Sequence, residues 1–528
     1  MNTIYMKMDL IKPYEQIKGV IFSTFNLSLF FFISIIFVFT LARKTKSKTN
    51  LNLPPSPPKL PIIGHLHLIG SLPHKSLRNL SQKYGDLMLL QLGQMKSPTL
   101  VVSSADLIME IMKNHDLAFS NRPQFTAPKI LLYGCNDVGF GMYGENWRNK
   151  RKILVLQLLS SKMVQSFGQI REEEVEELII KLREVSLSGP YIVNLSEMLM
   201  HIANNLICKC ALGCKFNTSD GDGNNKVKYH ARKVMIQLAA FTVRDYFPML
   251  GWVDVLTGKI EEYKETFREM DALLEQVIEE HKKVEMESEE NSNKKDFVDI
   301  LLQFKERDML DFELTNDDIK SLLMDMFLAG TDTTSTVLEW AFVELMRNPI
   351  IMKKVQKEVR RVVGNKSKVE ENDIGQMLYL KCVIKEILRL HAPTQIIPPR
   401  ETISSVKLNG YDIPAKTMVY INAWAIHNDP ELWKNPQEFL PERFENSDVD
   451  FKGKHFQFVP FGFGRRGCPG LNFGIISIEY VLATLLYWFD WKLPETYKSA
   501  HDIDMSEIFG LVTSKKEPLH LQPIAFSF

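Results

Sequence analysis

The stretch FGFGRRGCPG, Phe461 to Gly470, admits two chemistries. Gly462, Gly464 and Gly467 have the G-x-G-x-x-G spacing of a turn that cradles a dinucleotide pyrophosphate, whereas Cys468 could present a single thiolate to a metal. The first chemistry needs a clean strand before the glycines. Pro460 interrupts one, and Pro469 with the bulky Phe463 does not suit a phosphate turn. The second needs an anionic sulfur. Cys468 is followed by Pro469, Gly470 and the apolar helical pattern LNFGIISIEYVLATLLYWF, so it stands just before a helix N-terminus whose N–H groups and dipole stabilise a thiolate. Glycines 462, 464 and 470 would let the chain approach a flat cofactor closely, and Arg466 could reach an acidic group on its rim.

Three other groupings could join that cysteine. In AGTDTT, Ala329 to Thr334, a glycine and three threonines lower helix propensity and offer hydroxyls to the preceding turn, which predicts a local widening. A small ligand and a water could sit there beside Asp332 and Thr333, with a carboxylate and a hydroxyl to deliver protons. Glu386 and Arg389 share a helical face at i, i+3, and Arg443 of PERF would bury the pair in a network if the fold brings it back. In ENWRNKRK, Trp147 and Arg151 share one face and could donate to a carboxylate cofactor, while Arg148 and Lys152 are left for an acidic protein partner. Solvated surface pairs and a basic helix face are the plainer alternatives for the last two.

Other signals fail on their spacing. Cys208, Cys210 and Cys214 lack paired C-x-x-C spacing and sit in an apolar stretch, which reads as buried helical cysteine rather than zinc. A calcium-like start near Asp220 has Asn225 where the turn glycine belongs and Ala231 where the bidentate glutamate belongs.

These residues must be positioned by helices. Thr315 and Asp318 form a capping-box pattern, and apolar periodicity then runs to Arg347, where Asn348-Pro349 stops a helix of more than thirty residues. Helical periods dominate elsewhere, and strand-like runs such as SVKLNGYDIPAKTMVYINAWAI are short and gathered mainly toward the ends. The fold class is mainly α with small β-sheets (α+β). Gly19 to Ala42 is free of charge, and 24 residues at about 1.5 Å each reach about 36 Å, enough to span a bilayer. Arg43, Lys44, Lys46 and Lys48 follow it, so the run is read as an uncleaved single-pass anchor with the downstream chain cytosolic. The expected organisation is a short lumenal segment over 1–18, the anchor over 19–42, a basic and proline-rich hinge over 43–64 and one catalytic domain over 65–528. Lys plus Arg and Asp plus Glu each total 64, which leaves no global charge to attract nucleic acid. Six cysteines in 528 residues exclude a secreted disulfide framework.

Together the motifs F-x-x-G-x-R-x-C-x-G (Phe461 to Gly470), A-G-x-D-T-T, E-x-x-R, P-E-R-F and W-x-x-x-R resemble the cytochrome P450 family, over essentially the whole chain after the anchor. The proline hinge, LRLHAPTQIIPPR and FDWKLPE look like the plant microsomal branch that oxidises specialised metabolites. The resemblance implies haem b as cofactor, with Cys468 as axial ligand of its iron and Phe461 at the head of the cysteine loop. It implies that Trp147, Arg151, Arg400 and Arg466 hold the propionates, that Thr333 and Asp332 serve oxygen activation, and that Glu386, Arg389 and Arg443 form a structural network. It also implies pocket walls from Phe125, Tyr133, Leu328, Ala329, Ile396, Ile397 and Val512. No flavin domain follows the last helix, so electrons from NADPH are expected through a separate cytochrome P450 reductase, docking at Arg148 and Lys152. The expected reaction inserts one atom of O2 into a small lipophilic terpenoid or phenylpropanoid or coumarin compound at the endoplasmic reticulum membrane. A haem-thiolate isomerase or dehydratase and a non-catalytic haem sensor are the alternatives, and neither needs the Asp332–Thr333 pair. Two departures stand out. Ala392 and Gln395 replace prolines of the branch's H-P-P-x-P segment and Pro398 is added, so Gln395 is expected to bond an oxygenated substrate. Phe463 stands where the branch commonly has a small residue.

Overall fold

The computed structural model describes residues 26–34, 51–189, 191–213, 223–287, 295–307 and 311–527, in two units, Met1–Asn52 and Leu53–Phe528. In the first unit residues 26–34 are helical, and the rest of the anchor, the segment before it and the basic residues behind it lie outside the described residues. Cys214 and the calcium-like start at Asp220 lie outside them too. The second unit begins at Leu53, earlier than the expected boundary, because the proline-rich segment is stitched into it. Leu89 N donates to Pro55 O at 2.8 Å, and the His65 ring meets Pro57 O at 2.8 Å.

The helices of the domain include α1 (Glu145–Ile153), α2 (Gly168–Ser188), α3 (Leu195–Leu212), α4 (Lys259–Glu287), α5 (Phe297–Glu306), α6 (Asn316–Arg347), α7 (Pro349–Val363), α8 (Leu378–Leu390) and α9 (Leu471–Trp488). Helix α6 is the central one, 32 residues long. It starts at the expected capping box, with Asp318 N donating to Thr315 Oγ1 at 3.1 Å and Thr315 N donating to Asp318 Oδ2 at 3.0 Å. Its C-terminal half packs Val337, Leu338, Trp340 and Phe342 into a core shared with α2, α3, α7, α8 and α9. Helix α9 is, among the described residues, the one helix long and apolar enough to cross a membrane, and it is mostly buried in this core.

The widening expected at Ala329 to Thr334 is not present. Helix α6 runs through it as continuous α-helix, because the hydroxyls bond carbonyls one turn back without displacing the backbone bonds: Thr331 Oγ1 to Phe327 O at 3.2 Å and Thr333 Oγ1 to Ala329 O at 2.5 Å. What the small residues provide instead is close approach. A Cβ on Gly330 would lie 2.9 Å from Ile207 Cδ1 and Cγ1 of the crossing helix α3.

A four-stranded sheet, β1 (Leu87–Leu90), β2 (Thr99–Val102), β3 (Ile396–Glu401) and β4 (Met418–Asn422), has the order β1-β2-β4-β3. The β3–β4 register shifts between Ile397 and Arg400, where Pro398 and Pro399 have no N–H to give the ladder. The strand-like run from Ser405 ends sooner than its sequence predicts. Asn422 side-chain oxygen accepts from Ala425 N and starts a short helix, Ala423–His427. Smaller sheets pair Val406–Leu408 with Tyr411–Ile413, Glu507–Ile508 with Ser514–Lys515, and His520–Ala525 with Val193–Asn194 and Phe489–Lys492.

Candidate active site

No strand precedes the glycines of the cysteine loop; residues 455–463 are turns and irregular chain. Gly462 and Gly464 take left-handed φ values of 69° and 64°, and a Cβ on Gly464 would lie 2.3 Å from Asp116 Oδ1. Cys468 N donates to Phe461 O at 2.8 Å, which closes the loop immediately ahead of α9. The Cys468 thiol stands exposed on the wall of an internal cavity that Phe461 and helix α6 also line. Burial raises its pKa, while the Gly470 amide N–H and the Arg151 guanidinium oppose that rise and favour thiolate.

Beside the cysteine four guanidiniums cluster: Arg122, Arg151, Arg400 and Arg466. Arg466 donates Nε to Ser120 O at 2.6 Å, Nη1 to Val138 O at 3.2 Å and Nη2 to Gly141 O at 2.6 Å. Arg122 donates Nε to Gly139 O at 2.9 Å, and Arg151 Nη2 to Gly467 O at 2.5 Å. Arg400, wholly buried, donates Nη2 to Phe463 O at 2.7 Å and leaves Nε and Nη1 without a partner among the described residues. Burial lowers the pKa of Arg466 to about 9, helped by the charges of Arg400 and Arg151; burial lowers that of Arg400 to about 10. Burial also depresses Arg122, and the neighbouring guanidiniums add to this. Buried cations satisfied by carbonyls alone are costly, and a dianionic ligand would offset that cost. An exposed thiol on a cavity wall, glycines in left-handed conformation beside it, and orphaned guanidinium N–H groups therefore fit haem, with its iron and two propionates.

Trp147 acts differently from expectation. Its Nε1 donates to Val138 O at 2.9 Å, so the indole N–H is already committed, and its ring lies 4.1 Å from the Arg466 guanidinium carbon and 5.7 Å from that of Arg151. It props two cations by their attraction to its face. Arg148 and Lys152 are exposed on the same helix. Phe463 is buried with its ring 4.2 Å from the Arg400 guanidinium, so the large side chain fills space under that arginine.

On α6, Leu328, Ala329 and Thr333 line the cavity, whereas Asp332 is not on its wall. Burial raises the Asp332 carboxyl, and Arg232 partly offsets this. The three-residue network forms as its spacing allowed. Glu386 pairs with Arg389 Nε at 2.8 Å and with Arg443 Nε at 2.9 Å, and Glu386 and Arg389 are fully buried.

The remaining pocket expectations divide. Val512 and Ile397 line the same cavity as Cys468. Phe125 and Ile396 line a second cavity, which shares Phe140, Leu238, Pro398 and Leu511 with the first. Tyr133 and Gln395 are placed elsewhere. Tyr133 Oη donates to Asp271 at 2.8 Å, and Gln395, only 1% exposed, donates Nε2 to Glu507 at 3.1 Å. Gln395 is therefore not a surface residue and is on the wall of neither cavity, while its Oε1 has no partner among the described residues. Sequence reasoning missed Arg122, Asp137 and Asp325, all of which line the cavity. Arg122 sits in irregular chain with no periodicity to mark it. Asp325 was detectable as the lone charge in LLMDMFLAG, where a carboxylate must find donors.

Comparison with known proteins places this geometry. The sequence model described as Cytochrome P450 matches residues 54–521. A phenylacetaldehyde oxime monooxygenase of Prunus mume is 50% identical over 477 residues, 90% of this chain and 89% of that one. A costunolide synthase of Cichorium intybus is 46% identical, covering 90% of this chain and 93% of that one. A zebra fish cytochrome P450 solved with abiraterone superposes with a TM-score of 0.72 at 26% identity, covering 87% of this chain and all of that one. The chain therefore belongs to the cytochrome P450 family, as a haem-dependent monooxygenase of its plant specialised-metabolism branch.

Proposed function

We propose that this protein inserts one atom of O2 into a small lipophilic plant metabolite of terpenoid, phenylpropanoid or coumarin type, with electrons from NADPH arriving through a separate reductase. The observation that carries this reading is the cavity that joins Cys468 and Thr333 to a predominantly apolar wall, including Leu328, Ala329, Ile397 and Val512. Such walls bind by area and exclude water, and they offer few polar groups to a hydrophilic substrate.

Haem supplies the O2-activating chemistry, with electron density donated to its iron by an anionic sulfur. Cys468 would hold that iron. Arg122, Arg151, Arg400 and Arg466 would hold the acidic rim, with the Trp147 ring behind two of them. The Thr333 hydroxyl stands on the cavity wall and donates to Ala329 O, so it can give up that bond to pass a proton into the cavity. Asp332, next in the chain though not on the cavity wall, is assigned the resupply of that proton. The exposed Arg148 and Lys152 suit an acidic face of the reductase. The relatives, by their names, act on phenylacetaldehyde oxime or form costunolide, which supports small, largely apolar substrates. Attachment to the endoplasmic reticulum membrane, with this domain in the cytosol, completes the reading.

The test is the reduced-plus-CO difference spectrum of the membrane-bound protein, then turnover under 18O2 with NADPH and reductase on a panel of terpenoids and phenylpropanoids. A band near about 450 nm and one labelled oxygen in the product are expected. An unlabelled, rearranged product formed without reductase would replace this reading with that of an isomerase.

A further inference from the structure

The loop Asn136–Gly141 joins the central helix to the arginine cluster, and its backbone groups are divided between the two. On the helix side, Val138 N donates to Asp325 Oδ2 at 2.6 Å and Gly139 N to Asp325 Oδ1 at 3.3 Å. Asn136 Nδ2 donates to Asp318 Oδ1 at 2.8 Å, and Lys150 of α1 pairs with the same Asp318 oxygen at 2.8 Å. On the cluster side the carbonyls point the other way. Val138 O accepts from Trp147 and Arg466, Gly139 O from Arg122, and Gly141 O from Arg466. The loop has little slack, since a Cβ on Gly141 would lie 2.2 Å from Asp137 O.

Asp325 is thus the one side chain on α6 that takes two successive amides of the loop whose carbonyls hold the cluster. We propose that Asp325 is a positioning residue for the haem cradle, fixing the 138–141 carbonyls to which Trp147, Arg122 and Arg466 donate and so aiming the two guanidiniums at the cofactor's acidic rim. The proposal rests on the reading of the arginines as propionate anchors. It accounts for a carboxylate in the middle of an apolar helical run, a position where burial is costly unless its acceptors are used. Burial, then the charge of the neighbouring Asp137, push the Asp325 carboxyl well above the usual range, and burial pushes Asp137 up to about 6. Residues that orient a metal site's primary contacts commonly change its affinity ten- to a hundredfold when altered, about tenfold being the lower end.

The experiment follows haem loss from the full-length holoprotein to excess apomyoglobin, together with Tm. Asp325→Asn keeps one acceptor and sets an N–H group against the other amide, and it is expected to speed haem loss about tenfold. Gly139→Ala, whose Cβ would lie 3.3 Å from Asp325 Oδ1 and 3.2 Å from Asp137 Oδ2, disturbs the clamp from the loop side and should act in the same direction. Val343→Ala, buried on the same helix away from the cavity, lowers Tm without touching the cradle and sets the rate expected from simple destabilisation. Arg466→Lys tests the anchor reading by itself. If Arg466→Lys speeds haem loss and Asp325→Asn does so too, the double variant should be hardly faster than the faster single one, because both act through the same contacts. Multiplied effects in the double variant, or an Asp325→Asn rate no faster than that of Val343→Ala, would overturn the positioning role alone. An unchanged rate in Arg466→Lys would overturn the anchor reading beneath it.

Discussion

Glu386 holds two guanidiniums, that of the half-buried Arg443 and that of Arg389, which is fully buried like Glu386 itself and also donates to His427 O at 2.7 Å. Removing the carboxylate strands those charges, so Glu386→Ala should cost about 3–5 kcal/mol of unfolding free energy. Urea unfolding of the holoprotein measures this, and a loss below about 1 kcal/mol, the range of surface pairs, would mean that the network is solvated. Gln395 gives the contrasting case. Burial would raise the Glu507 carboxyl, but His74, Lys75 and Gln395 together hold it down to about 2. Gln395→Leu should therefore cost about 1–3 kcal/mol of stability, as for any lost bond to a buried charged group, and leave the position of oxidation unchanged. Altered product distribution at unaltered Tm would restore Gln395 to the substrate. The two residues differ in legibility for a physical reason. Glu386 and Arg389 are one helical turn apart, so the pair was visible in the sequence, whereas Gln395 meets a partner 112 residues away that no local pattern announces. Trp147 was legible as a member of the site but not in its role, since only the fold shows that the Val138 carbonyl takes its N–H.

At the scale of elements, the long helix was readable from its capping box and its Asn-Pro stop, while the behaviour of its middle depended on a neighbour. Gly330 faces Ile207 of α3, which is fully buried and lines the cavity. Gly330→Ala gains about 1 kcal/mol of helix propensity but must push Ile207, at a cost of about 1–3 kcal/mol. The expected outcome is a near-neutral or slightly lowered Tm and weaker binding of bulky substrates, read from the substrate-induced Soret shift. Ile207→Ala, which removes both the Cδ1 and the Cγ1 that are met, should restore binding of bulky substrates, at its own cost in Tm. If binding is untouched, the crossing does not set the cavity's width. A second element contact is governed by pH. His281 of α4 lies 2.9 Å from Asp296, the N-cap of α5. Burial opposes its charge, but the hydrogen bond and charge of Asp296 prevail and raise His281 to about 9. Because the folded pKa lies above the unfolded value of about 6.5, the stabilisation is complete below pH about 6.5 and is lost as pH rises through about 9. Amide exchange at the start of α5, corrected for its intrinsic pH dependence, should accelerate across that window. His281→Gln should abolish the step, and a step that persists would assign it to another group.

For the whole molecule, the order of motifs was enough to imply the architecture, because each motif marks an element that the fold must bring to one cavity. What the sequence did not show is how separate apolar segments converge on the surface. Gly93 N donates to Ile63 O at 3.1 Å and Gln94 N to Tyr246 O at 2.7 Å, so residues 60–63 and 243–256 flank the same turn. Leu60, Ile62, Met249, Trp252, Val255 and Leu256 are exposed there, Met249 to 79% and Leu256 to 76%. Large apolar side chains gathered in this way are unusual on a surface that faces only water, and Tyr246 also lines the second cavity beneath. If this face lies in lipid, a substrate dissolved in the bilayer reaches the cavity from the membrane side, which fits the apolar walls. A chain beginning at Leu53 should then still sediment with neutral phosphatidylcholine vesicles. With Lys plus Arg equal to Asp plus Glu at 64 each, the attraction should be apolar, so binding should change little between low and high salt. Met249→Ser, Trp252→Ser and Leu256→Ser together remove several large contacts, and at about 25 cal/mol per Å² of apolar surface even partial immersion predicts at least a tenfold loss of partitioning. Equal sedimentation of this triple variant and its parent would place the lipid-facing surface elsewhere, and binding abolished by salt would make it electrostatic.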